Sequence, residues 1–175
     1  TVPQDVSVEP DRIRHGGKGA NQAVAAATAG AATDMLGKVG PDGGEFGVRN
    51  RLADAGVGVT GIETAAEPTG TAHVFVGPAG DNRIVVRPGA NSAIDRAYVR
   101  DRYDTIRSAD CLLLQNEIPI EPVATVLSDL AGEQDRPTVI LDPAPADGVE
   151  PLLDCEAVDY LTPNETEYRA LQSSL

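Results

Sequence analysis

Tryptophan is absent from this chain of 175 residues, and aromatic side chains make up only 3% of it. That scarcity removes the stacking platforms on which single-strand nucleic-acid binders depend. Positive charge is scarce too: 14 lysines and arginines face 27 acids, for a formal net charge of −13. The acids are scattered instead of gathered in a tail, and such a surface repels nucleic-acid backbones and anionic membranes, so neither is expected as a partner. Cysteine occurs twice, as Cys111 in an apolar run and Cys155 among acids. Neither has a second Cys or His at metal spacing, so both are read as unlinked thiols. No apolar run approaches the ~18 residues of a membrane span, and Thr1–Arg14 is polar and acidic, unlike a secretory signal. The expected location is cytoplasmic.

What is present is a chain 41% hydrophobic, long enough for one domain with a core of its own. Lysine is rare even among the bases, occurring only at Lys18 and Lys38, while Asp alone outnumbers all bases together. An acidic, lysine-poor surface is expected of a halophilic protein in a salt-rich cytoplasm, although a high-GC genome also favours Arg over Lys. On either account the lysine inside a glycine cluster stands out.

That cluster is His15-Gly16-Gly17-Lys18-Gly19-Ala20-Asn21-Gln22-Ala23. Glycine has no Cβ to hold a ligand away, so Gly16, Gly17 and Gly19 can form a tight concave turn. A helix expected over Ala20–Ala29 then points free N–H groups and its positive dipole end at whatever sits there. Lys18 adds three donors, and Asn21 adds both donor and acceptor. A phosphate or a ring of sugar hydroxyls could use such a site. The phosphate-loop pattern does not fit, because it needs a glycine where Arg12 stands and a hydroxyl where Gly19 stands. An ordinary glycine turn that caps a helix is the plainer alternative.

Strands and helices alternate along the rest. A strand over Thr33–Val39 leads to a turn in which Asp42 can cap a helix, with Glu45 completing the box, and that helix runs to about Ala55 before Gly56. Residues 71–76 and 83–86, joined by Pro78-Ala79-Gly80-Asp81, read as a hairpin. Beyond it come a helix (Asp95–Ser108), a strand (Cys111–Leu114), a helix (Glu121–Ala131), strands at Thr138–Leu141 and Val158–Leu161, and a helix from Asn164. Strands this apolar, separated by helices, indicate an α/β fold whose parallel sheet is covered on both faces.

Ligands of open α/β sheets bind beyond the carboxyl ends of the strands. Asn116 and Glu117 follow one strand, Asp142 the next, and Asn164, Glu165 and Glu167 the third. These groups suit hydroxyls, metal ions and phosphates. Asn164 and Glu167 can equally be a helix cap with its reciprocal glutamate, Asp142-Pro143 a turn, and Glu117-Ile118-Pro119 a solvated loop. His15 and His73 lack the neighbours of a nucleophile–base set and are read as structural.

Taken in order, these motifs resemble the ribokinase group of the PfkB carbohydrate kinase family over nearly the whole chain. Gly16-Gly17-Lys18-Gly19-Ala20-Asn21-Gln22-Ala23 is similar to its first sugar-binding signature. The stretch from Gly37 to Gly47, Pro88-Gly89-Ala90-Asn91, Asp142-Pro143-Ala144-Pro145 and Thr162-Pro163-Asn164-Glu165-Thr166-Glu167 are similar to its later landmarks. The resemblance implies a ribokinase-like parallel sheet flanked by helices, with a small β lid at residues 71–87 within a partial domain spanning 1–175. It implies that Gly17, Lys18, Gly19, Ala20 and Asn21 line a sugar site, with Glu117 on its far side and Ala72 and Val74 facing the sugar from the lid. Asn164 would approach the phosphates of ATP and Glu167 would organise Mg²⁺ through its water shell. Pairing of two lids would make a homodimer.

The family's opening strand with its Asn-x-Asp sugar contact is not found here. Nor is the Gly-Ala-Gly-Asp segment with the catalytic base, the adenine pocket and the loop for a monovalent cation such as K⁺. The expectation is therefore a fragment, inactive by itself, of an ATP-dependent kinase that converts D-ribose to ribose 5-phosphate. A deoxyribokinase or other sugar or nucleoside kinase is the alternative, and so is a non-catalytic sugar-binding or dimerising module.

Overall fold

The computed structural model describes residues 14–77 and 80–174; the N-terminal residues 1–13 and the Pro78-Ala79 step of the expected hairpin turn lie outside them. In chain order the elements are α1 (Lys18–Thr28), β1 (Thr33–Asp34), β2 (Gly37–Val39), α2 (Gly43–Phe46), α3 (Val48–Asp54), β3 (Val57–Gly58), β4 (Ile62–Thr64), β5 (Thr71–Val76) and β6 (Asn82–Arg87). A 3₁₀ turn at Gly89–Ala93 leads to α4 (Arg96–Arg100), α5 (Tyr103–Arg107), β7 (Cys111–Gln115), α6 (Ile120–Ala131), β8 (Thr138–Asp142), α7 (Glu150–Leu153), β9 (Tyr160–Leu161) and α8 (Glu165–Ser174).

Helix α6 shows why the fold closes where it does. Val123, Val126, Leu127 and Leu130 recur at helical spacing and are all buried, so one stripe of the helix faces the sheet. They meet Val139 and Leu141 of β8 and Val149 and Leu152 around α7, and Ile94, Tyr98, Val99 and Ile106 extend the same core. β8 is the central strand, parallel to β7 on one side and β9 on the other. A second, smaller core of Ala23, Val39, Leu52, Val57 and Ile62 joins α1 and α3 to the strand pairs β1–β3 and β2–β4, both parallel.

Several expected elements are divided. The strand read over Thr33–Val39 is two strands, because β1 pairs with β3 and β2 with β4, and the chain steps between partners at Met35-Leu36. The helix read up to Ala55 is broken by Gly47 at φ 64°, a left-handed conformation that glycine adopts without penalty. The helix read over Asp95–Ser108 splits at Arg102, which leaves helical geometry at φ −114° while its guanidinium pairs with Glu63. Asp42 does not cap α2. Its Oδ1 accepts from Thr69 N at 2.8 Å and Thr69 Oγ1 at 2.6 Å, tying the turn to the base of the hairpin.

Helices flank the sheet as expected, with the cover thinner on the second face. Leu112, Val139 and Leu141 face the main core, but Leu113, Ile140 and Tyr160, aligned side by side in the opposite face, leave Tyr160 61% exposed. On that second face α1 packs at the end of β7, where its Gly19 meets Gln115. The carboxyl ends of β7 and β8 and the start of α1 thus come together.

Candidate functional site

The start of α1 has no side-chain cap of its own. Gly17, just before it, stands at φ 95° and ψ 135°, a backbone turn open to glycine. The Lys18 N–H that this turn exposes donates to Glu117 Oε2 at 2.7 Å, across 99 residues of sequence. A carboxylate here satisfies an orphan donor of the helix and opposes its positive dipole end. A Cβ at Gly19 would stand 2.5 Å from Gln115 Nε2 and 3.2 Å from Met35 Cε, so a side chain there would push the Gln115 amide aside. Asn21 is exposed, and neither its amide nor the Lys18 ammonium has a hydrogen-bond or ion-pair partner among the described residues.

Electrostatics bring in the other strand ends. Burial pushes the Asp142 carboxyl above its ordinary value, Lys18 pulls it back down, and Glu167 and Glu117 push it further up. Asp142 at the end of β8 therefore lies in the field of Lys18 from α1, Glu117 beyond β7 and Glu167 from α8. Four of the groups read at strand and helix ends converge on one spot.

Other candidates have local work. Asn116 donates through Nδ2 to Pro145 O at 2.8 Å and Asp147 O at 2.9 Å, so it braces the loop after β8. Asn164 and Glu167 form the reciprocal capping box: Asn164 N donates to Glu167 Oε2 at 2.8 Å, and Glu167 N to Asn164 Oδ1 at 2.9 Å. Ala72 and Val74 share one face of the hairpin with Val76, Ile84 and Val86, and His73 points to the other. Among the described residues that hairpin pairs with no further strand, and Val74 is 56% exposed. His15 is half-buried, with burial and Arg51 lowering its pKa. Cys111 and Cys155 are unlinked, as expected.

Among the described residues no group of three or more His, Cys, Asp or Glu is arranged to hold a metal directly. One oxygen of Glu167 is already engaged by the helix cap. The carboxylates of Asp142 and Glu167 do fit a hydrated divalent cation, because Mg²⁺ favours oxygen donors and sheds its water reluctantly. An open cleft lined by Asp34, Leu36, Thr60, Glu63, Asp101, Arg102 and Thr105 lies elsewhere and contains none of these groups.

Sequence reasoning named Asp142 but assigned it no role, and it passed over Gln115. The available signal was parity: Gln115 and Glu117 are two apart at a strand end, and Gln115 is in register with Asp142. No helix among the described residues is long and apolar enough to cross a membrane.

This arrangement has relatives. The chain is 45% identical over 156 residues to ribokinase of Bacillus subtilis, covering 87% of this chain and 51% of that protein. It is 32% identical over 161 residues to deoxyribokinase of Salmonella typhi, covering 91% of this chain and 52% of the other. The crystal structure of ribokinase from Thermotoga maritima superposes with a TM-score of 0.78 at 36% identity, covering 91% of this chain and 51% of that one. The chain spans about half the length of the curated relatives it matches. The description "pfkB family carbohydrate kinase" matches residues 3–175, which include the glycine turn, the hairpin and all three strand ends; the chain belongs to that family.

Proposed function

We propose that this chain supplies the sugar-binding part of an ATP-dependent kinase acting on the primary hydroxyl of D-ribose, giving ribose 5-phosphate. The observation that carries the reading is the Glu117 carboxylate bonded to Lys18 N, which ties the far strand end to the glycine turn. Around that bond Gly17, Lys18, Gly19, Ala20 and Asn21 form a wall of backbone and side-chain donors, and Glu117 an acceptor opposite. Sugar hydroxyls need both.

The rest of the reading follows the family. Ala72 and Val74 of the hairpin at residues 71–87 would close over the sugar as a lid, and two such hairpins would pair in a homodimer. Asn164 would approach the ATP phosphates, and Glu167 would hold Mg²⁺ through its water shell. Bound Mg²⁺ would neutralise charge that develops on the transferring phosphoryl group. In the cytoplasmic enzyme a monovalent cation such as K⁺ would complete the machinery. The similarity to a deoxyribokinase favours 2-deoxyribose as the second reading.

Titration calorimetry of D-ribose into the chain tests the site. Binding is expected, and Asn21→Ala should weaken it by roughly 1–3 kcal/mol, the cost of leaving a buried polar partner unpaired. Equal affinity in the two proteins, or no binding in either, would leave the glycine turn a purely structural element.

A further inference from the structure

Two side-chain carboxamides beside the glycine turn have no hydrogen-bond partner among the described residues. Gln22, three residues beyond Gly19 on the same face of α1, has its Oε1 buried and unbonded. Gln115 is half-buried at the end of β7, its Nε2 2.5 Å from where a Cβ on Gly19 would stand, and it makes no hydrogen bond among the described residues. Folded proteins seldom leave a buried polar atom such as Gln22 Oε1 unmatched, whereas the half-buried Gln115 amide can be reached from outside. Of the two, Gln115 lies nearer the convergence point: it precedes Glu117 by two residues and stands in register beside Asp142.

We infer that Gln115 is a further specificity-determining residue of this site, its carboxamide bonding one ring hydroxyl of the sugar; the inference rests on the reading proposed above. The neighbours select the chemistry. Glu117 already takes the Lys18 N–H at the positive end of α1, and Asp142 adds a second carboxylate, so an incoming anion would have the Lys18 ammonium to set against two like charges. A neutral hydroxyl donates to a carboxylate and accepts from an amide at the same time, which suits Glu117 and Gln115 together. A site built to bond a hydroxyl discriminates strongly against the analogue that lacks it, because its own polar group is then left unpaired. Gln115 would in this way separate a ribose from one of its deoxy forms. Gly19 serves the same end, since any side chain there would displace the amide.

The test titrates D-ribose and its 1-deoxy, 2-deoxy and 3-deoxy analogues into the wild-type chain, Gln115→Met and Asn21→Ala, with melting curves of each protein without sugar. Gln115→Met keeps the length of the side chain and removes only its hydrogen bonding. The expected result is ribose affinity down about tenfold, the yield of one hydrogen bond, and a sugar-free melting temperature that does not fall. One deoxy analogue should bind wild type and Gln115→Met equally, and it identifies the hydroxyl. If Gln115→Met binds ribose as wild type does while Asn21→Ala does not, the inference fails and the sugar reading stands. If Gln115→Met melts lower and weakens every sugar alike, Gln115 only supports the fold and the inference fails. Absence of ribose binding, or equal binding in all three proteins, overturns the sugar reading and this inference with it.

Discussion

Leu127 of α6 and Val74 of β5 are both apolar residues within regular apolar patterns, yet one is 0% exposed and the other 56%. The body around α6 and β8 buries its own stripe. The hairpin buries neither face: Phe75 and Val85 are exposed on one side, and Val74, Ile84 and Val86 on the other. Its ties to the body lie at its base, where Thr69 bonds Asp42 and Ala90 N donates to Pro68 O at 2.8 Å. Two strands alone are marginal in water, and a contiguous exposed apolar face marks a surface built to meet something. The body is folded by what it covers, whereas the hairpin leaves both of its faces uncovered among the described residues.

The largest test of that contrast is Leu127→Ala. Leu127 is fully enclosed, so its truncation should cost about 2–5 kcal/mol in chemical denaturation, the usual range for a core leucine left as a cavity. A loss under about 1 kcal/mol would mean that the α6 stripe is not the main source of cohesion.

Tyr98→Phe probes a polar tie in the same body. The Tyr98 hydroxyl accepts from Gly37 N at 2.6 Å and donates to Gly61 O at 2.7 Å, which pins α4 to β2 and to the turn before β4. Its ring stays packed against the Arg102 guanidinium, 4.0 Å from the centroid. Removing only the oxygen leaves buried backbone groups unpaired, and the expected loss is about 1–3 kcal/mol. A neutral result in the same denaturation experiment would show that water replaces the hydroxyl.

Acid titration offers a gentler probe. Arg136 grips both oxygens of Asp159 at 2.7 and 2.9 Å, and Val139 N donates to Oδ2 at 2.8 Å, holding this carboxyl down to about 2. A depressed pKa means that the charged form is favoured in the folded state. Its stabilisation is therefore full above the unfolded value of about 3.9 and is lost as pH falls toward 2. Asp159→Asn should lower stability at neutral pH and flatten that part of the acid limb. An unchanged slope between pH 4 and pH 2 would assign the acid limb to other carboxyls.

What the sequence disclosed follows the range of the interactions involved. The hairpin was legible because strict alternation and the short turn are local. So were α6, from its stripe, and the glycine turn, from its composition. β3 and β4 were not, because strands of two and three residues carry no periodicity. Asp42 misled for a related reason: a capping box is a local pattern, and Thr69, 27 residues on, competes for the same oxygen. Asn164 and Glu167 show the opposite case, the local cap being present while Glu167 also reaches the field of Asp142. That three carboxylates and Lys18 share one spot depends on α1 lying across the end of β7. No sequence window contains that contact.

Val74→Asp carries the smallest expected effect on folding and the sharpest test of the contrast. The side chain is exposed, so a charge there should change the melting temperature little, as for other surface substitutions, within about 0.5 kcal/mol. If the hairpin face is the pairing surface of a homodimer, the same substitution places a carboxylate opposite its own copy in an apolar contact, where two like charges have no partner. Sedimentation velocity should then show a dimer for the wild-type chain and a monomer for Val74→Asp, at equal melting temperature once measured below the dissociation range. A wild-type monomer, or a dimer that Val74→Asp leaves intact, removes the hairpin from that role. A loss of stability approaching that of Leu127→Ala would break the contrast itself, because Val74 would then be doing for the hairpin what Leu127 does for the body.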